Sequence, residues 1–518
     1  MKMNQFIQWL EQQAHSNLFY LIFFFLFIFL VKRFNRSETN KYKFPPSPSK
    51  LPIIGNLHQL HGSPQHAFKS LAQKHGPLML LHLGSKPTLV VSSPETALDV
   101  MKTYDHVFSS RPELQFAKRL TYGKDIGFAP YGEYWMQVRK VCVLQLLCAK
   151  KVQLFRFVRE EEVALIVDKI KDLSLSTAVV NLSEMFLCLS NDVVCRVALG
   201  KTYNEGEVGK KFKGMLKEFG YLLVVNNVGD LIPSLAWVNN LNGLNARVEK
   251  LFRDIDSFID EVIEEHIEKN NKIGGYHSGD NEEEDFVDVM LRIEKGDSDH
   301  GISWTKDSTK AIIFDMFAAG TDTSAVVLEW AMSELIRHPN IMEDVQKEVR
   351  DIARGKVMIT ETDMDEMHYV KSVIKEILRL HPPVPLLLPR ESMEKVQIQG
   401  FDIPAKTTVM INVFAIGRDP KFWDEPEKFW PKRFQNVGNV SIDFKGQDFQ
   451  FIPFGAGRRG CPGILFATSI IELTLANLLN RFDWALPEGM DGKDLDMEEN
   501  FGLTVHRKND LVLTPKPH

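Results

Sequence analysis

The chain has 518 residues, 44% hydrophobic and 25% charged, with a formal net charge of −6 at pH 7. These fractions are those of a globular protein, and the acidic balance, with no basic tract interleaved with aromatics, excludes a nucleic-acid partner. Five cysteines, odd in number and without a CxxC pair, exclude a disulfide framework and structural zinc and suit a reducing compartment; Cys142, Cys148, Cys188 and Cys195 lie in helix-like apolar stretches and are expected as buried thiols.

Residues 18–31 are a run of 14 apolar residues. At about 1.5 Å each the run reaches about 21 Å, and its flank from His15 brings it towards the thickness of a bilayer core. No small-residue cleavage site follows, whereas Lys32, Arg33, Arg36, Lys41 and Lys43 do. The pattern predicts an uncleaved membrane anchor over residues 1–31, with the body of the chain in the cytosol. Residues 32–51 read as a basic and proline-rich hinge, stiff and extended through FPPSPSKL. Apolar runs at 78–83 and 88–91 around a turn at 84–87 predict a hairpin. Short strands are also expected at 396–398 and 408–413, and nearly everything else has helical period.

The stretch YGEYWMQVRK at 131–140 sets Trp135 and Arg139 four apart on one helix face, a pair of donors for carboxylates on a bound ligand. Residues 230–237, DLIPSLAW, are a second candidate bilayer contact, and residues 276–285 are expected as a solvated acidic loop. The longest helical pattern, 306–337, is apolar nearly all round and should cross the core, with Asp315 and Asp322 arguing against a membrane span. AGTDTS at 319–324 interrupts it. Gly320 and the hydroxyls weaken a helix there, which marks a small site suited to oxygen binding and proton delivery. A helix at 369–380 carries Glu376 and Arg379 three apart, and FWPKRF at 429–434 adds Arg433, which can close a three-member network.

PFGAGRRGCPG at 453–463 stands between a strand-like run, 449–454, and an apolar helix, 464–479. Cys461 is expected at the helix mouth with Pro462 at the first helical position, where free N–H groups and the dipole would lower the thiol pKa. Glycines admit a large flat ligand, and Arg459 is placed to meet an anion, which fits a haem iron held by Cys. Gly455, Gly457 and Gly460 also spell GxGxxG, with Asp483 downstream, the dinucleotide fingerprint. Two arginines inside that turn and the lack of further β-α-β units beyond it weigh against this alternative.

AGTDTS, ExxR at 376–379, PxRF at 431–434 and FGxGRRxCxG at 454–463 occur in one order, and the whole chain resembles a cytochrome P-450, a haem-thiolate monooxygenase. YGEYWMQVRKVCVLQLL, DMFAAGTDTS and ENFGLTVHRK are similar to the plant A-type microsomal group, with Lys432 standing where the family usually has Glu. The resemblance implies a mainly α fold with small β-sheets, a single N-terminal anchor helix, and one catalytic domain over 52–518. It implies haem b (iron protoporphyrin IX) with Cys461 as axial ligand. Trp135, Arg139, Arg390 and Arg459 would meet the propionates, and Phe454 would pack beside the sulfur. Asp322 and Thr323 would run the proton relay, and Glu376, Arg379 and Arg433 would be structural.

By the same analogy the substrate pocket takes in 110–128, part of 215–225, the long helix, 384–388 and 502–505. Its expected walls are Phe116, Leu120, Phe219, Asp315, Ala319, Val384, Leu386 and Leu503. Asp315 shares a face with Ala319 and Thr323 and has two readings: an acceptor for backbone N–H groups of the 110–128 loop, or a partner for a protonated amine. The implied partners are an NADPH-cytochrome reductase, O2, a membrane and a lipophilic terpenoid, alkaloid or phenolic. Lys140, Lys150, Lys151 and Arg458 are the expected cations of the reductase face. The implied place is the endoplasmic reticulum membrane, single-pass, with the catalytic domain facing the cytosol. A haem-thiolate isomerase or dehydratase that needs no O2 is the alternative, and the presence of Thr323 favours oxygenation.

Overall fold

The computed structural model describes residues 42–518 apart from 177–178, 204–205, 226, 274–283, 297–303, 436–441 and 488–489, together with Tyr20, Leu21, Phe24 and Phe25 upstream. The expected anchor and the first part of the hinge thus lie outside the described residues, save those four, which are helical and exposed. The rest of the hinge is fastened to the body. Lys43 and Asp402 exchange backbone and side-chain hydrogen bonds, Leu80 N–H donates to Pro46 O, and Pro45 and Pro48 are buried. Most of the acidic stretch at 276–285 is likewise outside; Asp285, at its end, caps the helix Phe286–Glu294 by accepting from Asp288 N–H.

The fold is mainly helical with small sheets. Leu78–Leu83 and Lys86–Val91 pair antiparallel as the expected hairpin, but its turn is only Gly84-Ser85, so the second strand starts two residues early. Lys86–Val91 then pairs parallel with Thr408–Ile411, whose other edge takes Arg390–Glu391. The expected strand at 408–413 stops at Ile411 because the buried Asn412 side chain accepts from Ala415 N–H and starts the short helix Val413–Ile416. Val396–Ile398 pairs with Phe401–Ile403. Near the C-terminus Val512–Pro517 lies between Val180–Asn181 and Phe482–Ala485, and His506–Arg507 pairs with Glu499–Asn500.

The pattern at 306–337 forms two collinear helices, Lys306–Gly320 and Asp322–Arg337, broken at Thr321. They cross the core and pack against Leu182–Leu199, His368–Leu380 and Ile464–Arg481. Lys306–Arg337 and Ile464–Arg481 are each long and apolar enough to cross a membrane, yet both are mostly buried inside the protein. The break has a packing cause. A Cβ on Gly320 would come within 2.9 Å of Val194 Cγ2 on the neighbouring helix, so only glycine permits this close crossing. Three residues on, the Thr323 hydroxyl donates to the Ala319 carbonyl at 2.7 Å and competes with the helical bond.

The network around Glu376 closes as the sequence suggested. Glu376 and Arg379 are both fully buried. Arg379 grips the carboxylate with Nε at 2.7 Å and Nη2 at 2.8 Å, and Arg433 Nε donates at 3.1 Å. Arg379 also donates to the carbonyls of Gly417, Pro426 and Lys428, joining the helix to the segment that leads into the Cys461 loop. Lys432 takes no part and pairs with Asp344. The thiols are less uniform than expected: Cys142 and Cys195 are buried, Cys148 and Cys188 half-buried.

Candidate active site

The residues before Cys461 do not form the expected strand. They make a chain of turns, with Gly455 N–H donating to Ile452 O, Gly460 N–H to Gly457 O and Cys461 N–H to Phe454 O at 2.9 Å. Phe449, Phe451 and Ile452 are buried individually by that winding course. Gly457 is required twice: its φ is +67°, and a Cβ would overlap Met101 O and lie 2.5 Å from Asp105 Oδ1. Asp105 then pins the loop, accepting from Arg458 N–H at 3.0 Å and from the Arg458 and Arg390 guanidiniums.

Cys461 is not at a helix mouth. Pro462 and Gly463 form a turn, and the helix begins at Ile464. The expected lowering of its thiol pKa is also corrected: the surrounding protein desolvates the thiol and pushes it up, opposed by the Gly463 N–H and by Arg139, although the side chain is exposed. Its side chain opens onto a cavity of about 330 Å3. Phe454, Gly455, Ala319, Gly320 and Thr323 line the cavity with it.

Four guanidiniums, Arg111, Arg139, Arg390 and Arg459, line this same cavity. Backbone carbonyls hold them: Arg459 on Ser109, Ile126 and Ala129, Arg111 on Gly127, Leu388 and Pro389, and Arg139 on Gly460. Arg390 is held by Ala456 O and by Asp105. Carbonyls orient these cations without neutralising them. Burial, then Arg390 and Arg139, bring Arg459 down to about 9, and burial with Arg459 and Arg390 holds Arg111 well below its usual value. Such crowding of like charge favours an anionic group with two or more carboxylates. Trp135 does not reach the cavity; its Nε1–H donates to Ile126 O at 3.0 Å and Arg459 stacks on its ring at 3.8 Å. Arg111 is the member that sequence reasoning missed. It stands in the 110–128 segment, but no spacing or helix face singles it out.

A thiol beneath a narrow apolar cavity, with several cations to one side, fits a haem: one axial sulfur for the iron and guanidiniums for the propionates. The residues present therefore suit the group that the motifs implied.

The expected substrate walls divide. Asp315, Ala319, Val384, Phe219 and Leu503 line the cavity. Phe116 and Leu120 do not; they are buried in the core, because the short helix Gln115–Leu120 turns their face inward. Leu386 faces a second, outer cavity of about 800 Å3 whose lining includes Leu231, Phe501 and Asp230. Arg111, Phe128, Val384, Leu387 and Leu503 border both, so the two cavities share a wall. Asp315 Oδ2 accepts from Ile126 N–H at 2.6 Å, and burial with the neighbouring Asp125 pushes its carboxyl well above the usual range. Of the two readings of Asp315, the geometry favours the loop acceptor.

Asp322 faces away from the cavity wall that carries Thr323. It accepts a short hydrogen bond from Thr504 and meets His506 Nε2 at 2.9 Å. Among the expected docking cations, Lys140 and Lys150 are exposed, Lys151 is half-buried 3.9 Å from Glu284, and Arg458 is turned onto Asp105.

The profile of the family described as "Cytochrome P450" matches residues 45–514. "Cytochrome P450 736A117" of Prunus mume is 50% identical, covering 99% of both chains. "Cytochrome P450 71A4" of Solanum melongena is 49% identical over 97% of this chain and 98% of its own. A "Norfluorocurarine oxidase" of a Strychnos species is 47% identical over 97% and 99%. Among solved structures, a zebrafish cytochrome P-450 described with abiraterone has the same fold, with TM-score 0.72 and 24% identity over 88% of this chain and 99% of its own. With the Cys461 loop, the buried Glu376–Arg379–Arg433 network and these relatives in view, the chain belongs to the cytochrome P-450 family, in its plant A-type branch, and is a monooxygenase of the oxidoreductase class.

Proposed function

We propose that the protein carries haem b on Cys461, takes electrons from NADPH through a reductase, and oxidises a lipophilic plant specialised metabolite (a terpenoid, alkaloid or phenolic). The meeting of Cys461, four guanidiniums and an apolar wall around one cavity carries this reading. Arg111, Arg139, Arg390 and Arg459 would hold the propionates, and Phe454 would pack beside the sulfur. When bound, the haem supplies oxygen activation, with the thiolate favouring O–O cleavage. The chain's own part is to orient the substrate, exclude bulk water and keep a proton at hand. Phe219, Phe286, Val197 and Leu503 give the cavity a surface for a neutral, lipophilic molecule. Thr323 presents a hydroxyl at the same wall, free to turn from Ala319 O towards the cavity. One relative is named for norfluorocurarine. Asp315 gives no added reason to expect a basic substrate here, because its carboxyl is engaged by Ile126.

The same proposal places the chain in the endoplasmic reticulum membrane, single-pass, with the body facing the cytosol. The apolar run at 18–31 with its basic flank supports this. So does a patch of exposed Leu51, Ile53 and Ile54, joined to Leu231 through Gly84 and Ser85, with Trp237 exposed six residues further along. Lys140 and Lys150 are the exposed cations offered to the reductase.

The test is the reduced, CO-bound spectrum. Wild type should show the thiolate-type Soret band and Cys461→Ser should lose it; a serine variant that keeps the band would overturn the ligand assignment. Steady consumption of NADPH and O2 with added reductase separates oxygenation from an isomerase or dehydratase that needs no O2.

A further inference from the structure

A two-electron oxygenation leaves one oxygen atom as water, so each turnover draws two protons from solvent into a cavity built to exclude it. The family resemblance assigns that traffic to Asp322 and Thr323. Neighbours on a helix point about 100° apart, and here only one of the two side chains lines the cavity. Thr323 lines the cavity and Asp322 does not. What does line the cavity is Thr504, from the segment that leads into the C-terminal ribbon. Its hydroxyl donates to Asp322 Oδ2 and lies 3.5 Å from His506 Nε2. His506 Nε2 sits 2.9 Å from Asp322 Oδ1, and its Nδ1 is 3.8 Å from Glu329 Oε2. His506 and Asp322 keep 34% and 37% of their side-chain surface, and His506 pairs across the ribbon with exposed Asn500. One unbroken line of exchangeable groups thus runs from the ribbon to the cavity.

We propose that His506, Asp322 and Thr504 form a proton conduit from the protein surface into the cavity, with His506 as its outer donor and Thr504 as its inner mouth. The proposal rests on the monooxygenase reading above. His506 passes the proton on Nε2 to Asp322 Oδ1. The neutral carboxyl turns about its Cβ–Cγ bond and brings that proton to Thr504, whose hydroxyl, turned about its Cβ–Oγ1 bond, releases its own proton into the cavity as it accepts the new one. Solvent then reprotonates the imidazole. No electrons move along this line, every residue is restored, and one proton has crossed.

The electrostatics suit a poised donor. Burial lowers the His506 pKa, but Asp322, Glu329 and Asp510 outweigh it and raise it. Burial raises the Asp322 pKa, but His506 and Thr504 outweigh it and hold the carboxylate below its usual range. Glu329 is itself pushed up by burial, accepts from Ser183, and has Arg507 beside it. The imidazolium therefore persists to higher pH than that of an ordinary histidine and is lost as pH rises through its elevated pKa.

A purely structural ion pair would hold the ribbon equally well, so the test must separate the two. His506→Gln keeps an N–H for Asp322 but cannot relay a proton, and Thr504→Val keeps shape while removing the hydroxyl. Reconstituted with reductase, wild type should consume O2 at a rate that falls with rising pH and slows in D2O. Both variants should slow several-fold and lose the pH dependence while keeping their melting temperature and CO spectrum. Independently of turnover, hydrogen exchange at the His506 ring carbon should report a pKa above the usual value of about 6.5, falling back in Asp322→Asn. Unchanged pH and solvent-isotope profiles in both variants, or an ordinary His506 titration insensitive to Asp322→Asn, would overturn the conduit. If wild type itself consumes no O2, the monooxygenase reading fails first.

Discussion

Glu376→Gln is the substitution whose cost the structure bounds best. On sequence spacing alone, a Glu and an Arg three apart on a helix are worth about 0.3–0.5 kcal/mol, the value of an exposed pair. The structure puts both at 0% exposure. Four donors converge on this one carboxylate: two from Arg379, one from Arg433 and the Trp430 N–H at 2.8 Å. Removing one partner of a buried pair costs about 3–5 kcal/mol, because the remaining charge is left without compensation. Here two guanidiniums are left. Against a total stability of about 5–15 kcal/mol, that raises the unfolded fraction roughly 10²- to 10⁴-fold. Trp423, whose ring lies 5.2 Å from the Arg379 guanidinium, gives a local emission signal for urea unfolding. The double change Glu376→Leu with Arg379→Leu should not restore stability, since it orphans the carbonyls of Gly417 and Pro426 at about 1–3 kcal/mol each. A loss below about 0.5 kcal/mol for Glu376→Gln would refute the argument, because it would mean that the network behaves as an exposed pair.

Gly457→Ala should fold poorly or fail to retain haem, since the added Cβ overlaps Met101 O and sits at positive φ; a normal CO spectrum per unit of protein would contradict this. Asp315→Asn should change stability by less than about 1 kcal/mol, because burial and Asp125 already favour the neutral carboxyl that the amide copies. It should also weaken matched basic and neutral ligands alike; a tenfold selective loss for the basic ligand would restore the amine-pairing reading. Removing residues 1–31 should release much of the protein from membranes with its haem spectrum intact. If exposed Ile53, Ile54 and Trp237 also touch the bilayer, part should remain bound, and fully soluble behaviour would argue against that contact.

Much of the frame was legible because the signals are local. The hairpin at 78–91, the Glu376–Arg379 spacing and the break at Gly320 each follow from a few adjacent residues and their backbone preferences. The misses share a different cause. Phe449–Phe454 is as apolar as a strand, yet its Ile452 and Phe454 carbonyls accept from the Gly455 and Cys461 N–H groups in turns, so burial there did not imply extension. Phe116 and Leu120 are apolar residues on a short helix, and periodicity cannot say whether an apolar face meets the core or a cavity. Arg111 and Thr504 join the site only because distant segments converge. Asp322 and Thr323 are neighbours in sequence, yet only Thr323 lines the cavity, while Asp322 is held by Thr504 and His506.

The carbonyls that hold the arginines carry one more consequence, for how this chain tolerates change. Ser109, Ile126, Gly127 and Ala129 grip Arg111, Arg459 and Trp135 through backbone oxygen alone, and Ile126 and Phe128 engage Asp315 and Asp125 through backbone N–H. The cradle therefore depends on the course of the backbone rather than on side-chain polarity, although buried Ser109, Ile126 and Ala129 limit side-chain size. An inserted or deleted residue would instead shift every one of these atoms out of register at once. The segment is permissive in side-chain polarity and rigid in length, so new substrate preferences are reached there by replacement, not by lengthening or shortening the loop.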